Sequence, residues 1–262
     1  MSDALSLHFL GTGTLVPDPQ RSTSATLVEW NGHRILIDCG FGTLRRLAEA
    51  DIDPRRIDGI LLTHFHPDHV GDLVNLFFTL AHLNDRREEP LQIAAHPHLG
   101  DYLDRQVAAN GEWLERFRDR SLLHVDATQS PFPFLSLRID TRPMRHTPYS
   151  IGYRLCIGEE RVAFSGDTGA CEALNALCRD CDLVVIECAL SDDDEPDTHL
   201  NPRAVGRMAH EANVRTVCVT HLYPETRRLD PLERIRREFD GSVILVQDGQ
   251  RLTLRSGELG PG

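Results

Sequence analysis

The stretch THFHPDHVGD, residues 63–72, holds three histidines and two aspartates within ten residues. It directly follows the apolar run GILL, so the cluster lies where a predicted strand ends. Pro67 restricts the backbone inside the cluster. The spacing H-x-H-x-D-H presents imidazoles and a carboxylate from one short loop, and these are groups that bind divalent transition metals. The residues with this spacing are His64, His66, Asp68 and His69.

A metal site built on this loop needs further ligands, and three candidates stand at the ends of other strand-like segments. His146 follows LRIDTRPMR, Asp167 ends RVAFSGD, and His221 ends RTVCVTH. Loops at strand ends are where α/β proteins assemble their sites, because the sheet fixes the geometry and the loops supply the chemistry. Together with the first cluster they give five histidines and two aspartates. That set is sufficient for two metal ions that share one carboxylate.

The sequence pattern of the rest of the chain predicts a mixed α/β fold, whose strands would position these loops. Runs of Val, Ile and Leu with Gly, Asp or Pro at their ends predict strands. The predicted strands are LSLHFL, ATLVEW, RILIDC, GILLT, LQIAA, LSLRI, IGYRLCI, RVAFSG, DLVVIE, RTVCVT, SVILV and RLTLR. Helical patterns cover residues 42–50, 70–83, 97–118, 170–180, 202–212 and 231–239. Two layers of sheet, or one sheet covered by helices, account for this order. Residues 84–90 predict a charged exposed turn, and we expect residues 1–262 to form one domain.

Composition narrows the classes of function. The 262 residues, 40% of them apolar and 26% charged, describe an ordinary globular protein. The formal net charge of -12 argues against a protein that holds nucleic acid through a broad basic surface. It does not argue against an anion that metal ions bind locally. We expect no signal peptide and no membrane span, because no stretch has the required basic start or apolar length.

The seven cysteines are scattered and mostly lie inside apolar runs. This pattern is typical of reduced thiols and predicts a cytoplasmic protein. Cys178 and Cys181 form a C-x2-C pair. A structural zinc site normally needs a second such pair nearby, so we interpret these two residues as ordinary thiols.

The four motifs together resemble those of the metallo-β-lactamase-fold hydrolases. THFHPDHVGD, the isolated His146, FSGDTG and VTHL stand in the order typical of that family, and the resemblance extends from about residue 5 to about residue 250. It implies an α/β fold, a four-layer αββα sandwich of the metallo-β-lactamase type, with the site at one edge of the two sheets. It also implies two divalent metal ions per chain, with Zn²⁺ expected and Mn²⁺ or Fe²⁺ as alternatives. The implied ligands are His64, His66 and His146 for the first ion, Asp68, His69 and His221 for the second, and Asp167 as the bridge.

Within that superfamily, the opening FLGTGTLVPDPQRSTSATLVE is similar to that of the ribonuclease Z and cyclic phosphodiesterase branch. THLNP, residues 198–202, sits where those phosphodiesterases carry a catalytic histidine, which here is His199. Only about twenty residues separate His146 from Asp167. The long arm that grips tRNA in many ribonuclease Z enzymes is therefore missing there, which favours a small substrate over a tRNA precursor.

The resemblance leads us to expect a phosphodiesterase that attacks a small or nucleotide-like phosphodiester with a hydroxide bridging two metal ions. Protonated His199 would stabilise the developing charge or protonate the leaving alkoxide, and Asp68 is counted with it as catalytic. Three alternatives stay open: a carbonyl-directed thioesterase or lactonase of the same fold, a ribonuclease Z-type tRNA endonuclease, and a non-catalytic binding subunit. We expect no stable nucleic-acid complex and no membrane partner, and a homodimer is compatible with the sequence.

Several other residues receive supporting roles. Asp38 in ILIDCG is expected to hold the second nitrogen of a metal-binding imidazole. Glu187 in VVIECAL is either catalytic or a buried, hydrogen-bonded carboxylate. His96 and His98 in AHPHLG are interpreted as structural, and residues 192–195 as a solvated acidic loop. Candidate substrate contacts are Arg21, Arg145 and Tyr149.

Overall fold

The computed structural model describes residues 4–83 and 89–262, and all structural statements refer to these residues. The strands are β1 (Leu5–Gly11), β2 (Ala25–Trp30), β3 (His33–Ile37), β4 (Gly59–Leu61), β5 (Leu91–Ala95), β6 (Leu122–Asp126), β7 (Phe132–Phe134), β8 (Leu137–Pro143), β9 (Ile151–Ile157), β10 (Glu160–Phe164), β11 (Leu183–Glu187), β12 (Thr216–Thr220), β13 (Ser242–Leu245), β14 (Arg251–Arg255) and β15 (Glu258–Pro261). The helices are α1 (Thr43–Glu49), α2 (Pro67–Val70), α3 (Leu73–His82), α4 (Leu99–Asn110), α5 (Glu112–Ser121), α6 (Glu172–Cys178), α7 (Pro202–Glu211), α8 (Pro224–Arg227) and α9 (Pro231–Arg236), with a short 3-10 turn at Pro54–Arg56.

The strands form two mixed sheets. In the described residues the first sheet has the order β15-β14-β1-β2-β3-β4-β5-β6, and the second has the order β13-β12-β11-β10-β9-β8-β7. The strands from β3 to β6 run parallel to one another, as do those from β10 to β13. The remaining strands of both sheets pair antiparallel. Each sheet therefore has a parallel half, whose carboxyl ends offer several loops at one edge.

Three apolar cores separate four layers. One core lies between the sheets and includes Phe9 of the first and Tyr153 of the second. A second core packs helices α1, α3, α4 and α5 onto the outer face of the first sheet. A third packs α6, α7 and α9 onto the outer face of the second sheet. This arrangement is the predicted αββα layering. No helix in residues 4–83 or 89–262 is both long and apolar enough to cross a membrane.

The twelve predicted strands are present, and the differences from prediction lie at helix boundaries and edges. The single helix predicted over 97–118 is wrong, because Gly111, at φ 91°, ends α4 and separates it from α5. The helix predicted over 70–83 begins three residues later, after the separate turn of α2. Strands β6, β7 and β15 were not predicted. The predicted turn 84–90 falls largely outside the described residues.

Tyr153 joins the two sheets through its hydroxyl group. The side chain is fully buried in β9, and its hydroxyl donates to the carbonyl oxygen of Leu62 at 2.7 Å and lies 3.1 Å from that of Ala94. Ala94 belongs to β5 of the first sheet, and Leu62 directly follows β4 of the same sheet. The aromatic ring fills the core while the hydroxyl satisfies backbone acceptors that water does not reach.

We predict that Tyr153→Phe lowers the free energy of unfolding by about 1–3 kcal/mol, because it leaves buried acceptors without this donor. Denaturant unfolding of the wild type and the variant measures the difference. Tyr102→Phe is the matched control, since the half-buried Tyr102 hydroxyl makes no hydrogen bond to a described residue. Equal stability of the Tyr153→Phe variant and the wild type would contradict the bridging role.

Candidate metal centre

All seven predicted ligand residues meet at the edge where the parallel strands of both sheets end. His64, His66, Asp68 and His69 follow β4, while His146, Asp167 and His221 follow β8, β10 and β12 respectively. Their donor atoms form two groups, each with atoms within 4.8 Å of one another, and Asp167 belongs to both. Side chains that are distant in the sequence thus lie close enough to bind the same metal ion.

The first group combines His64, His66 and His146 with Asp167. Nε2 of His146 lies 3.0 Å from Nδ1 of His66 and 3.8 Å from Oδ2 of Asp167. Nδ1 of His146 lies 2.9 Å from the carbonyl oxygen of Thr198. Because only a protonated nitrogen can donate to that carbonyl, Nδ1 carries the hydrogen and Nε2 presents its lone pair to the group.

The second group combines Asp68, His69 and His221 with Asp167. Nε2 of His221 lies 3.2 Å from Oδ2 of Asp68 and 3.5 Å from Oδ1 of Asp167. Nε2 of His69 lies 3.3 Å from the same Asp167 oxygen. All four side chains are buried. Two imidazoles and two carboxylates therefore converge on one point with little access to bulk water.

Asp38 holds the histidine loop in place. Its carboxylate accepts from Nδ1 of His69 at 2.7 Å and from the backbone N–H of Thr63 at 2.8 Å. The contact with His69 orients the other nitrogen of that ring towards Asp167, as expected for a carboxylate behind a metal-binding imidazole. Asp38 has φ 60° and His221 has φ 53°, a left-handed backbone conformation that Asp and His tolerate better than most residues.

The donor atoms fit divalent cations because several of them are buried without a hydrogen-bond partner. Among the described residues, five buried side-chain nitrogen or oxygen atoms lack a partner, and three of these are Nε2 of His64, Nε2 of His69 and Oδ1 of Asp167. Buried polar atoms are nearly always paired, so a cluster of unpaired nitrogen and oxygen atoms fits a bound cation as their common partner. Imidazole nitrogens and carboxylate oxygens are suitable ligands for Zn²⁺, Mn²⁺ and Fe²⁺.

The electrostatics of the centre favour the metal-binding state of His64 and Asp167. Burial lowers the pKa of His64 well below its ordinary value, so this ring is neutral and offers a lone pair. Burial opposes ionisation of Asp167, yet the charges of His221 and His69 outweigh it and hold the pKa of Asp167 well below its ordinary value. The shared residue is therefore a carboxylate that can bridge two cations. For His69 and His221, burial lowers the pKa, but the neighbouring carboxylates outweigh burial and raise that pKa above its ordinary value, so these two imidazoles would release a proton on binding a metal ion.

His199 lies beside both groups and is paired with Glu187. Nδ1 of His199 is 2.9 Å from Oε1 of Glu187 and 4.0 Å from Oδ2 of Asp167. Its half-buried ring stacks towards His221, with centroids 6.0 Å apart, and meets His146 edge-on at 4.7 Å. Burial lowers the pKa of His199, but the hydrogen bond and charge of Glu187 outweigh burial and raise that pKa above its ordinary value.

Glu187 is itself fixed by the backbone. Its Oε1 accepts from the N–H of Thr168 at 2.8 Å, and its Oε2 accepts from the N–H groups of Ala189 and Leu200 at 3.1 and 3.2 Å. Three N–H donors and the imidazole require an acceptor-only carboxylate. Sequence reasoning left the role of Glu187 open. Its position at the carboxyl end of a parallel strand, β11, was the available signal.

The three candidate substrate contacts occupy different positions. The Arg21 guanidinium donates to Thr12 and to the carbonyl oxygen of Val246, so it belongs to the scaffold of the loop after β1. Arg145 is exposed and forms an ion pair with Asp197. The Tyr149 ring is exposed and lies against His98. Only the last two reach the open surface near the donor groups.

Comparisons with known proteins agree with this geometry. A family model described as a beta-lactamase superfamily domain matches residues 33–222. A ribonuclease Z of Methanopyrus kandleri is 31% identical over 289 residues, which cover 97% of this chain and 100% of the relative. A ribonuclease Z of Mycobacterium sp. (strain KMS) is 28% identical over 280 residues, 97% of each chain. The crystal structure of the metallo-β-lactamase fold protein YhfI from Bacillus subtilis superposes with a TM-score of 0.83 at 20% identity, over 96% of this chain and 100% of that one.

The structural likeness to YhfI confirms the predicted four-layer αββα sandwich of the metallo-β-lactamase type. The family model covers well over half of the chain, and the Methanopyrus relative aligns along its whole length. The chain therefore belongs to the metallo-β-lactamase-fold hydrolase superfamily, among the relatives of ribonuclease Z.

Proposed function

We propose that this metal-dependent hydrolase cleaves a small phosphodiester, with His199 as the general acid. The observation that carries the proposal is the pairing of His199 with Glu187 directly beside the two donor groups. A hydrolase that only needs to activate water does not need a protonated imidazole beside its metal ligands. A phosphodiester with a poor leaving group does need one, because an alkoxide leaves slowly without a proton.

We infer that two divalent ions, Zn²⁺ first among the candidates, are held as the motifs predict. His64, His66 and His146 would hold one ion, Asp68, His69 and His221 the other, and Asp167 both. When bound, such ions would lower the pKa of a water molecule towards neutrality and neutralise charge on the phosphate oxygens. Asp68 acts in this proposal as a ligand that also orients His221 through its 3.2 Å contact.

The proton path follows from the hydrogen bonds of His199. Nδ1 donates to Glu187 at 2.9 Å, so the hydrogen on Nε2 is the one left available for transfer. The negative charge of Glu187 stabilises the imidazolium, and Nε2–H can then be transferred to the departing oxygen. Because backbone N–H groups hold Glu187, the His199 ring is oriented before substrate binds, and little reorganisation is needed during the reaction.

A tRNA precursor is the second candidate substrate, and the relatives named ribonuclease Z support it. Two features favour the small substrate instead. The net charge of -12 opposes a long polyanion. The connections between His146 and Asp167 are a turn before β9 and a hairpin turn before β10, with no inserted arm. Efficient 3′ processing of a tRNA precursor, with affinity that falls steeply as salt rises, would contradict the small-substrate proposal.

The bridging role of Asp167 predicts the metal content. Asp167→Ala should lose both ions, because its carboxylate belongs to both donor groups. Elemental analysis of purified protein measures this, and the wild type should contain two divalent ions per chain. Asp140→Ala is the control, since Asp140 is also buried but pairs with Arg154. Wild-type protein that is active without divalent metal, or an Asp167→Ala variant that keeps both ions, would contradict the proposed centre.

If His199 is the general acid, the activity lost when it is removed should depend on the leaving group of the substrate. His199→Ala should keep its metal content and lose about 10²–10⁴-fold in kcat on an alkyl or nucleoside phosphodiester, the usual range for a general acid. The loss on bis-p-nitrophenyl phosphate should be much smaller, because p-nitrophenolate leaves without a proton. Steady-state kinetics on both substrates measure the difference.

The exposed His210 at the end of α7 provides the control, and His210→Ala should behave as the wild type on both substrates. Equal losses on the two substrates in His199→Ala would indicate substrate positioning and not acid catalysis. Loss of metal from His199→Ala would assign His199 to the ligand set. Either result rejects His199 as the general acid.

A further inference from the structure

An aromatic stack stands next to the predicted ligands of the first donor group. The rings of Tyr149 and His98 have centroids 3.9 Å apart and planes that differ by 7°. Tyr149 is 36% exposed, so part of its aromatic ring is open to solvent. His98 covers one face of the tyrosine ring, and the ring of His96 also lies against it, with centroids 5.1 Å apart and planes at 51°. The exposed surface belongs to the remainder of the tyrosine ring.

The stack is held from the side of His98. The His98 ring meets Phe65 edge-on at 5.4 Å, and Phe65 in turn lies 5.5 Å from the ring of Tyr102. Nδ1 of His98 also lies 3.3 Å from a carboxylate oxygen of Asp101. An aromatic surface that is already fixed loses little side-chain freedom when a ligand covers it.

The stack is held equally well from the side of Tyr149. The Tyr149 N–H donates to Oγ1 of Thr147 at 3.2 Å, and Ser150 N–H closes the same turn onto the Thr147 carbonyl oxygen. The next residue, Ile151, donates its N–H to the carbonyl oxygen of Thr63 at 2.8 Å. The turn that carries Tyr149 is therefore fastened to the strand end that leads into the histidine loop.

Tyr149 and Phe65, the ring that supports His98, are both close to predicted ligands in the sequence. Tyr149 is three residues after His146, and Phe65 lies between His64 and His66. The exposed tyrosine ring thus stands at the rim of the site, beside the predicted ligands. A substrate whose phosphate lies at the donor groups would extend part of its structure across this rim.

We propose that Tyr149, backed by His98, is a stacking platform for a nucleobase, so that the phosphodiesters cleaved here are carried by nucleosides. The inference rests on the proposed phosphodiesterase function and names its substrate class. Every base has a planar π-face, so stacking on an aromatic ring binds bases without requiring a particular sequence. The platform makes Tyr149 a specificity-determining residue, whereas His98 positions it.

The test compares two substrates that share the reacting five-membered cyclic phosphate. One is 2′,3′-cyclic adenosine monophosphate, which carries a base, and the other is glycerol 1,2-cyclic phosphate, which does not. In Tyr149→Ala the KM for the adenosine substrate should rise about 5- to 100-fold, the affinity that base–aromatic stacking contributes. Its kcat and both constants for the glycerol substrate should stay close to those of the wild type.

Two control variants separate stacking from structure. Tyr149→Phe keeps the ring and should restore the KM for the adenosine substrate. Phe78→Ala removes another exposed aromatic ring that stacks on a histidine, His82, but that contacts Trp113 of α5 and neither donor group. That variant should leave both substrates unaffected.

Two kinetic results would overturn the platform: an unchanged KM for the adenosine substrate in Tyr149→Ala, or an equal rise in KM for both substrates. If the wild type hydrolyses neither cyclic phosphate, binding decides the inference. If it also hydrolyses no other phosphodiester, including bis-p-nitrophenyl phosphate, the proposed function fails separately. Calorimetry with adenosine 3′-monophosphate should give a Kd that Tyr149→Ala weakens and Tyr149→Phe preserves. An equal Kd in all three proteins would reject the platform.

Discussion

A buried carboxylate between five imidazoles is the constraint on which the rest of the structure depends. Asp167 is 3% exposed. Within 4.0 Å of its oxygens lie nitrogens of His64, His69, His146, His199 and His221. Moving a charge out of water costs free energy unless an opposite charge compensates it. Buried polar atoms without a partner add to that cost. The proposed cations would compensate this charge and pair with the unpaired atoms of the segments that converge on Asp167.

The fold meets this constraint by placing parallel strands of two different sheets at one edge. Each donor segment follows a different strand, so the centre exists only when both sheets have formed and packed. The loop after β1 takes part as well, because His221 N–H donates to the Thr12 carbonyl oxygen at 3.0 Å. That contact helps to hold His221 in its left-handed conformation. Metal ions that bind only the folded chain would therefore also stabilise the sandwich.

The metal-binding motifs and the alternation of elements were predictable because the signals are local. H-x-H-x-D-H concentrates four donors in one loop, and apolar runs mark the strands that precede the other three. Helix 97–118 was predicted as continuous because the helical pattern persists on both sides of Gly111. Strand β7 escaped prediction because it is three residues long and contains a proline, which is typical of sheet edges.

Contacts between distant segments could not be predicted from the sequence. The pairing of Glu187 with His199 depends on how the chain turns after β11, and nothing in either segment encodes the 2.9 Å approach. The stack of His98 on Tyr149 joins a helix start behind the first sheet to a turn of the second. His98 was therefore interpreted as structural from its own surroundings. Its neighbour in space follows only from how the two sheets pack.

The central claim is that two cations share Asp167 in the buried centre. Anomalous diffraction from crystals of the zinc-loaded protein, recorded on both sides of the zinc absorption edge, tests it most directly. We expect two anomalous peaks, one on each side of the Asp167 carboxylate, with His66 and His146 beside one and His69 and His221 beside the other. A single peak, or peaks that do not contact Asp167, would contradict it.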